Sequence, residues 1–214
     1  MATVTELAIQ KRDPDRVSVF LDGEFAWGVP KIVAARLRVG QEISAETLAS
    51  LRAEALWEEA KDKALHFLEH RPRSSAEIRR YLQSKGYETA IIERVLDRLR
   101  DVQLVDDQAF ARYWIDQRAT FKPRSAFALR AELAQRGLNR DAIDEALTDV
   151  DETAQARRAA EQQLTRWQHL SADDRRTRLA AFLQRRGFRY DLIEAVLTEL
   201  DASEPEAGPD ERSD

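Results

Sequence analysis

The sequence predicts a mainly α protein, a tandem array of three three-helix units, elongated and curved, with a small β-hairpin element at its N-terminus. A pattern of about fifty residues occurs three times, each copy carries a glycine at the same register, and the N-terminal sixty residues read differently, beginning with short β-branched or aromatic runs. The copies are Ile78-Arg-Arg-Tyr-Leu82-Gln-Ser-Lys-Gly86-Tyr87, Leu129-Arg-Ala-Glu-Leu133-Ala-Gln-Arg-Gly137-Leu138 and Leu179-Ala-Ala-Phe-Leu183-Gln-Arg-Arg-Gly187-Phe188, aligned without a gap. Ile92, Ile143 and Ile193 follow at the same distance from the glycines, then Leu96, Leu147 and Leu197, then Leu99, Val150 and Leu200.

At the N-terminus, Val4 to Gln10, Arg16 to Leu21 and Glu24 to Trp27 are short β-branched or aromatic runs, and Asp22-Gly23 is a favoured two-residue hairpin turn. Phe25 and Trp27 alternate, which places both on one face, expected to cover the helices that follow. Pro30 can open a short helix to about Leu37, Gly40 breaks the chain, and Ser44 can cap a long helix from Ala45 toward Glu69. In each repeat the apolar residues eight and four before the glycine form one helical stripe, and those after it form the stripe of a second helix. The glycine stands where the first helix must stop in a left-handed conformation, and the apolar residue after it folds back. Third helices, Asp107 to Arg118 and about Glu152 to His169, join one unit to the next. The expected divisions are therefore 1–43 (β-rich extension), 44–70 (linking helix), 71–119, 120–169 and 170–201 (three units), and 202–214, an acidic tail expected to be disordered.

Composition bounds the function. Hydrophobic residues make up 43% of the chain and charged residues 34%, so the core is thin and the surface large. The chain has no cysteine, which excludes disulfides, thiol catalysis and cysteine-ligated zinc, and points to an intracellular protein. No run approaches the roughly 20 apolar residues of a membrane span, and no signal peptide is recognisable, so a cytoplasmic location without membrane contact is expected.

Charge is uneven. Residues 61–140 hold 17 Lys and Arg against 11 Asp and Glu, whereas the formal net charge of the whole chain is −5. Either this basic zone is a solvated face, or it binds a polyanion or an acidic protein surface. Lys85, Arg136 and Arg186 each precede a turn glycine, where the helix dipole alone accounts for a cation. Arg73 and Arg124 recur just ahead of a helix N-terminus, where a cation gains nothing from the dipole, and the third copy has Asp174 instead. They are the leading candidates for partner contact, with Arg71, Arg79, Arg80, Lys122 and Arg130 as neighbours.

Other constellations have simpler explanations. His66-Phe-Leu-Glu69-His70 fits the H-x-x-E-H zinc pattern, but nothing nearby supplies a cleft or a further acidic ligand, and no metal or cofactor is expected. Asp106-Asp107 suits a helix N-cap better than acid–base chemistry. Phe110, Tyr113 and Trp114 at helical spacing form one buried stripe in preference to a base-stacking platform, and Trp57 and Trp167 are expected in the core.

Arg71-Pro-Arg-Ser74-x-x-Glu77-Ile78, Leu82-x-x-Lys85-Gly86-Tyr87 and Leu104-Val105-Asp106-Asp107-x-x-Phe110-Ala111-x-x-Trp114 resemble the signature of the RecX family of RecA regulators. The resemblance covers roughly residues 60–200 and includes the capping box Ser74 to Glu77. It implies a non-enzymatic protein whose partners are the RecA filament, single-stranded DNA and double-stranded DNA; a monomer is expected. Such a protein lies along the helical groove of the filament and inhibits extension, ATP hydrolysis, strand exchange and SOS repressor cleavage. A stand-alone DNA-binding helical-repeat protein is the alternative. Arg71, Arg73, Arg79, Arg80, Lys85, Lys122, Arg124, Arg130 and Arg136 are the expected contact residues for RecA or DNA.

Overall fold

A computed structural model describes residues 1–203, and the chain divides into two compact units, Met1–Asp106 and Asp107 onward. The fold is mainly helical, with a small sheet at the N-terminus. The tail expected to be disordered lies outside the described residues, except Ala202 and Ser203, which end the last helix.

The first unit opens with β1 (Ala2–Ile9), β2 (Arg16–Leu21) and β3 (Glu24–Pro30), and a short β4 (Glu42–Ile43) completes an antiparallel sheet of order β3-β2-β1-β4. The β2–β3 turn is Asp22-Gly23, with φ of 51° and 89°, the double left-handed geometry that matches strand twist. Between the strands α1 spans only Lys31–Ala34, because Arg36 and Leu37 turn off into tighter bonds to the carbonyls of Val33 and Ala34.

The face expected for both Phe25 and Trp27 is corrected by the register. Val19 pairs with Trp27 but Phe20 with Phe25, so one extra residue interrupts the alternation. Trp27 therefore packs on the sheet core, whereas Phe25 meets Phe20 edge-on and is 60% exposed.

Helix α2 (Ala45–Glu69) starts at Ser44, whose side chain accepts from the Thr47 amide. Its first half, with Leu48, Leu51 and Ala55, closes the sheet core of Val4, Val17, Val19, Val29 and Ile43. Its second half, with Ala60 and Ala64, packs on α3 (Ser75–Ser84) and α4 (Thr89–Asp101) through Ile78, Leu82, Ile92 and Leu96. The Ser74–Glu77 capping box is formed in both directions.

Glu59 fastens these layers. Its carboxylate accepts from Arg16 on β2 at 3.1 Å, from Lys63 at 2.6 Å and from the Tyr87 hydroxyl at 2.9 Å. Burial alone would raise its pKa, but hydrogen bonds from Lys63, Arg16 and Tyr87 outweigh it and lower the pKa from 4.5 to about 2. A carboxyl depressed in the folded state stabilises fully above its unfolded pKa and loses that contribution as pH falls through the folded one. With the side chain 30% exposed and its partners reached by solvent, screening leaves about 1–2 kcal/mol. Glu59→Gln is expected to lower the unfolding free energy at neutral pH by about that amount. It is also expected to flatten the decline in stability between pH 4.5 and about 2, both read from denaturant midpoints across pH.

The second unit comprises α5 (Asp107–Phe121), α6 (Ala126–Gln135), α7 (Arg140–Leu147), α8 (Glu152–Trp167), α9 (Ala172–Arg185) and α10 (Tyr190–Ser203). Phe110, Ala111 and Ile115 of α5 share a core with Leu129, Leu133, Leu138, Ile143 and Leu147. Ala156, Ala159 and Ala160 of α8 share another with Leu179, Leu183, Phe188, Ile193 and Leu197. Each joining helix thus packs with the pair that follows it, as α2 does, so the limits drawn at 119/120 and 169/170 move toward the N-terminus. Small residues on the joining helices let the backbones approach, and the stripe around each glycine packs against them.

All three glycines stop their helices as expected, with φ of 85°, 84° and 91° at Gly86, Gly137 and Gly187. The amides of Tyr87, Leu138 and Phe188 donate to the carbonyls of Leu82, Leu133 and Leu183, and those of the glycines to Gln83, Ala134 and Gln184, the Schellman pattern. At the end of α4 the same geometry falls on Gln103, at φ 58°.

Candidate nucleic-acid and partner interface

In the first unit, the basic residues singled out from the sequence are held by local partners. Arg71 grips Glu77 through both terminal nitrogens, at 2.9 and 3.2 Å, and so braces the capping box. Arg79 forms a two-point pair with Glu93 at 2.8 and 2.9 Å, and this holds the Glu93 pKa below its ordinary value. Arg73 lies over the Phe67 ring at 3.9 Å and donates to the Phe67 carbonyl at 3.3 Å. Lys85 sits 5.5 Å from the centre of the Tyr81 ring, and Arg80 is exposed. Arg73 thus has a packing role that its position before the helix did not suggest.

In the second unit, four arginines gather at α5, α6 and the turn after α9. Glu132 accepts from Arg118 Nε at 2.7 Å and from Trp114 Nε1 at 2.7 Å, and Arg124 Nε lies 2.9 Å from its other oxygen. The Arg124 contact is an ion pair with poor angular geometry, and its buried Nε has no aligned acceptor. Arg118 and Arg136 both lie against the Trp114 ring, at 4.5 and 3.5 Å from its centre. Arg186 covers Phe182 at 4.8 Å and reaches toward the Pro123 carbonyl at 3.5 Å. Burial, then repulsion from Arg124 and Arg118, lowers its pKa, with only Glu132 acting the other way.

The repeat shows that the fold does not demand this cluster. In the first copy the residues nineteen and five before the glycine are Phe67 and Tyr81, stacked at 4.3 Å with rings 10° from parallel. In the second copy they are Arg118 and Glu132, an ion pair. An aromatic contact has been replaced by charge at one site, with Trp114 brought in from α5. Comparison of these two positions would have revealed Arg118 and Glu132 in the sequence; the apolar stripe alone does not.

Arg130 pairs with Asp144 instead, because it projects from a different face of α6 from Glu132. Lys122 is exposed, next to Phe121, itself 68% exposed. Phe110 is buried, Trp114 packs beside it, and both belong to the core stripe as expected. His66 is exposed and its Nδ1 lies 2.9 Å from the Asp62 carbonyl.

Family models match in register with these elements. The RecX N-terminal domain matches residues 2–44, and the RecX first, second and third three-helix domains match 60–99, 106–147 and 149–197. The chain belongs to the RecX family. It is 28% identical to a regulatory protein RecX of Clostridioides difficile over 205 residues, covering 94% of this chain and 96% of the relative. It is 36% identical to that of Halalkalibacterium halodurans over 154 residues, covering 69% of this chain and 58% of the relative. A crystal structure of regulatory protein RecX shares the fold with a TM-score of 0.68 at 24% identity, covering 92% of this chain and 98% of the other. RecX from Lactobacillus salivarius gives 0.58 at 21%, covering 69% and 97%. These RecX relatives are named regulatory proteins, and among the described residues no helix is long and apolar enough to cross a membrane.

Proposed function

We propose that this chain regulates RecA by binding its filament on single-stranded DNA along the helical groove, restraining extension, ATP hydrolysis, strand exchange and SOS repressor cleavage. The observation that carries the reading is the ordered match of all four RecX models between residues 2 and 197. The basic zone supports it, since a nucleoprotein filament is polyanionic and charge complementarity speeds docking. The protein acts by occupancy in the cytoplasm, not by bond-making chemistry.

Negative-stain imaging of RecA filaments tests the reading. Sub-stoichiometric amounts of the protein are expected to shorten them, with a parallel fall in ATP hydrolysis; unchanged lengths and hydrolysis would reject it. The second reading, a stand-alone DNA-binding protein, draws support from the arginine cluster on α5 and α6. It predicts equal effects on DNA coated with any binding protein.

A further inference from the structure

We infer that Arg118, Arg124 and Arg186 form a phosphate site for single-stranded nucleic acid, that Glu132 holds it in the absence of ligand, and that Phe121 stacks the adjoining base. The inference deepens the proposed function by assigning direct DNA contact to this site.

Arg118 and Arg124 pair with one carboxylate, Glu132, and Arg186 comes in beside them, its Nη1 3.5 Å from the carbonyl of Pro123, the residue before Arg124; no other carboxylate pairs with the three among the described residues. The excess positive charge is partly buried, with Arg118 24% and Arg124 35% exposed, so it is screened less than surface charge. The misaligned Arg124 Nε leaves one buried donor for an incoming oxygen. Guanidinium groups suit phosphate because their planar forks bind two oxygens at once. An acidic protein surface would satisfy the charge equally well, but Phe121 favours nucleic acid. It follows Arg118 by three residues on α5, hence lies beside it on the helix surface, and its ring is open to solvent. A phosphate clamp next to an exposed aromatic is how sequence-tolerant single-strand binders are built. Glu132 is the anion already in place: it orients the arginines through Arg118 and Trp114 and yields to a phosphate.

The test is anisotropy of a labelled oligothymidylate with the full chain, titrated at several salt concentrations without RecA. Glu132→Gln removes the competing charge while keeping an acceptor for Trp114, and is expected to tighten binding by about tenfold. Arg118→Gln with Arg186→Gln is expected to weaken it by at least about tenfold and to flatten the salt dependence by about 0.7 in slope for each phosphate that the protein no longer neutralises. Arg118→Lys, a milder change should the pair misfold, is expected to weaken binding with the slope retained. Phe121→Ala is expected to weaken binding by about tenfold at every salt concentration, since stacking does not release counterions. Unchanged affinity and slope in the arginine variants, or no gain from Glu132→Gln, would overturn the site. So would a Glu132→Gln protein that gains affinity for an oligoglutamate peptide and none for the oligonucleotide. Suppression of RecA ATP hydrolysis by the parent, scored on the same preparation, separates the two ideas: suppression with an inert cluster leaves the proposed function standing, and an active cluster without suppression does the reverse.

Discussion

Replacing Gly187 with valine is expected to cost about 2–5 kcal/mol, more than the same change at Gly86. Two penalties combine. The residue has φ of 91°, where a β-branched side chain is strained by about 1–2 kcal/mol. A Cβ built there would also lie 2.6 Å from Ser125 Oγ and 3.1 Å from Ala128 Cβ. Ser125 has little room to retreat, since it is buried and its hydroxyl caps α6 by accepting from the Ala128 amide at 3.1 Å. Relief of the clash therefore sacrifices a helix cap or the packing of the α9 turn on α6. Gly86 is the internal control: its φ of 85° imposes the same strain, but a Cβ there meets nothing within 4 Å. Denaturant midpoints of Gly86→Val and Gly187→Val should differ by the packing part alone, and equal losses would show that Gly187 is not a close-approach site.

The largest functional loss is expected from Arg73→Gln combined with Arg124→Gln, which lowers the net charge of residues 61–140 by two. If these arginines face RecA or its DNA, the concentration needed to suppress RecA ATP hydrolysis should rise by about tenfold to a hundredfold. Glutamine is preferable to glutamate because Arg124 lies against Glu132, and a second carboxylate there would disturb the fold by repulsion. Arg166→Gln with Arg178→Gln makes the same charge change at exposed positions of α8 and α9 and should suppress as the parent does. Equal loss in both pairs would make net charge, and not position, the determinant.

The array was legible because its signals are local. A glycine that must take positive φ, a stripe at fixed offsets and a Ser–Glu capping box each depend on a few adjacent residues, and all three formed as expected. Assignment of α5 and α8 to the pair that follows depends on tertiary contact through alanines such as Ala111, Ala156 and Ala160, which carry little signal in a hydrophobic pattern. The placement of Phe25 failed for a similar reason, since one extra residue in a strand exchanges its faces without changing its composition. At the candidate site, Arg124 was found by its recurrence, whereas Arg136 and Arg186 were both explained by the helix dipole, and of those two only Arg136 was kept among the expected contacts. The dipole accounts for a cation at that position, but not for one held near two other guanidinium groups.

Helix α2 belongs to two cores at once, with Ala55 in the sheet layer and Ala60 in the helical one five residues later. No loop intervenes to absorb a change of length, so the helix acts as a keyed shaft. Insertion of one residue between them would turn one bearing surface by about 100° relative to the other and displace it by about 1.5 Å. The sheet core and the first helical core could not then both engage, and with the insertion ahead of Glu59 Arg16 would also lose its reach to that carboxylate. Between Ala55 and Ala60 the chain can vary in side chains on its solvent face, but not in number of residues.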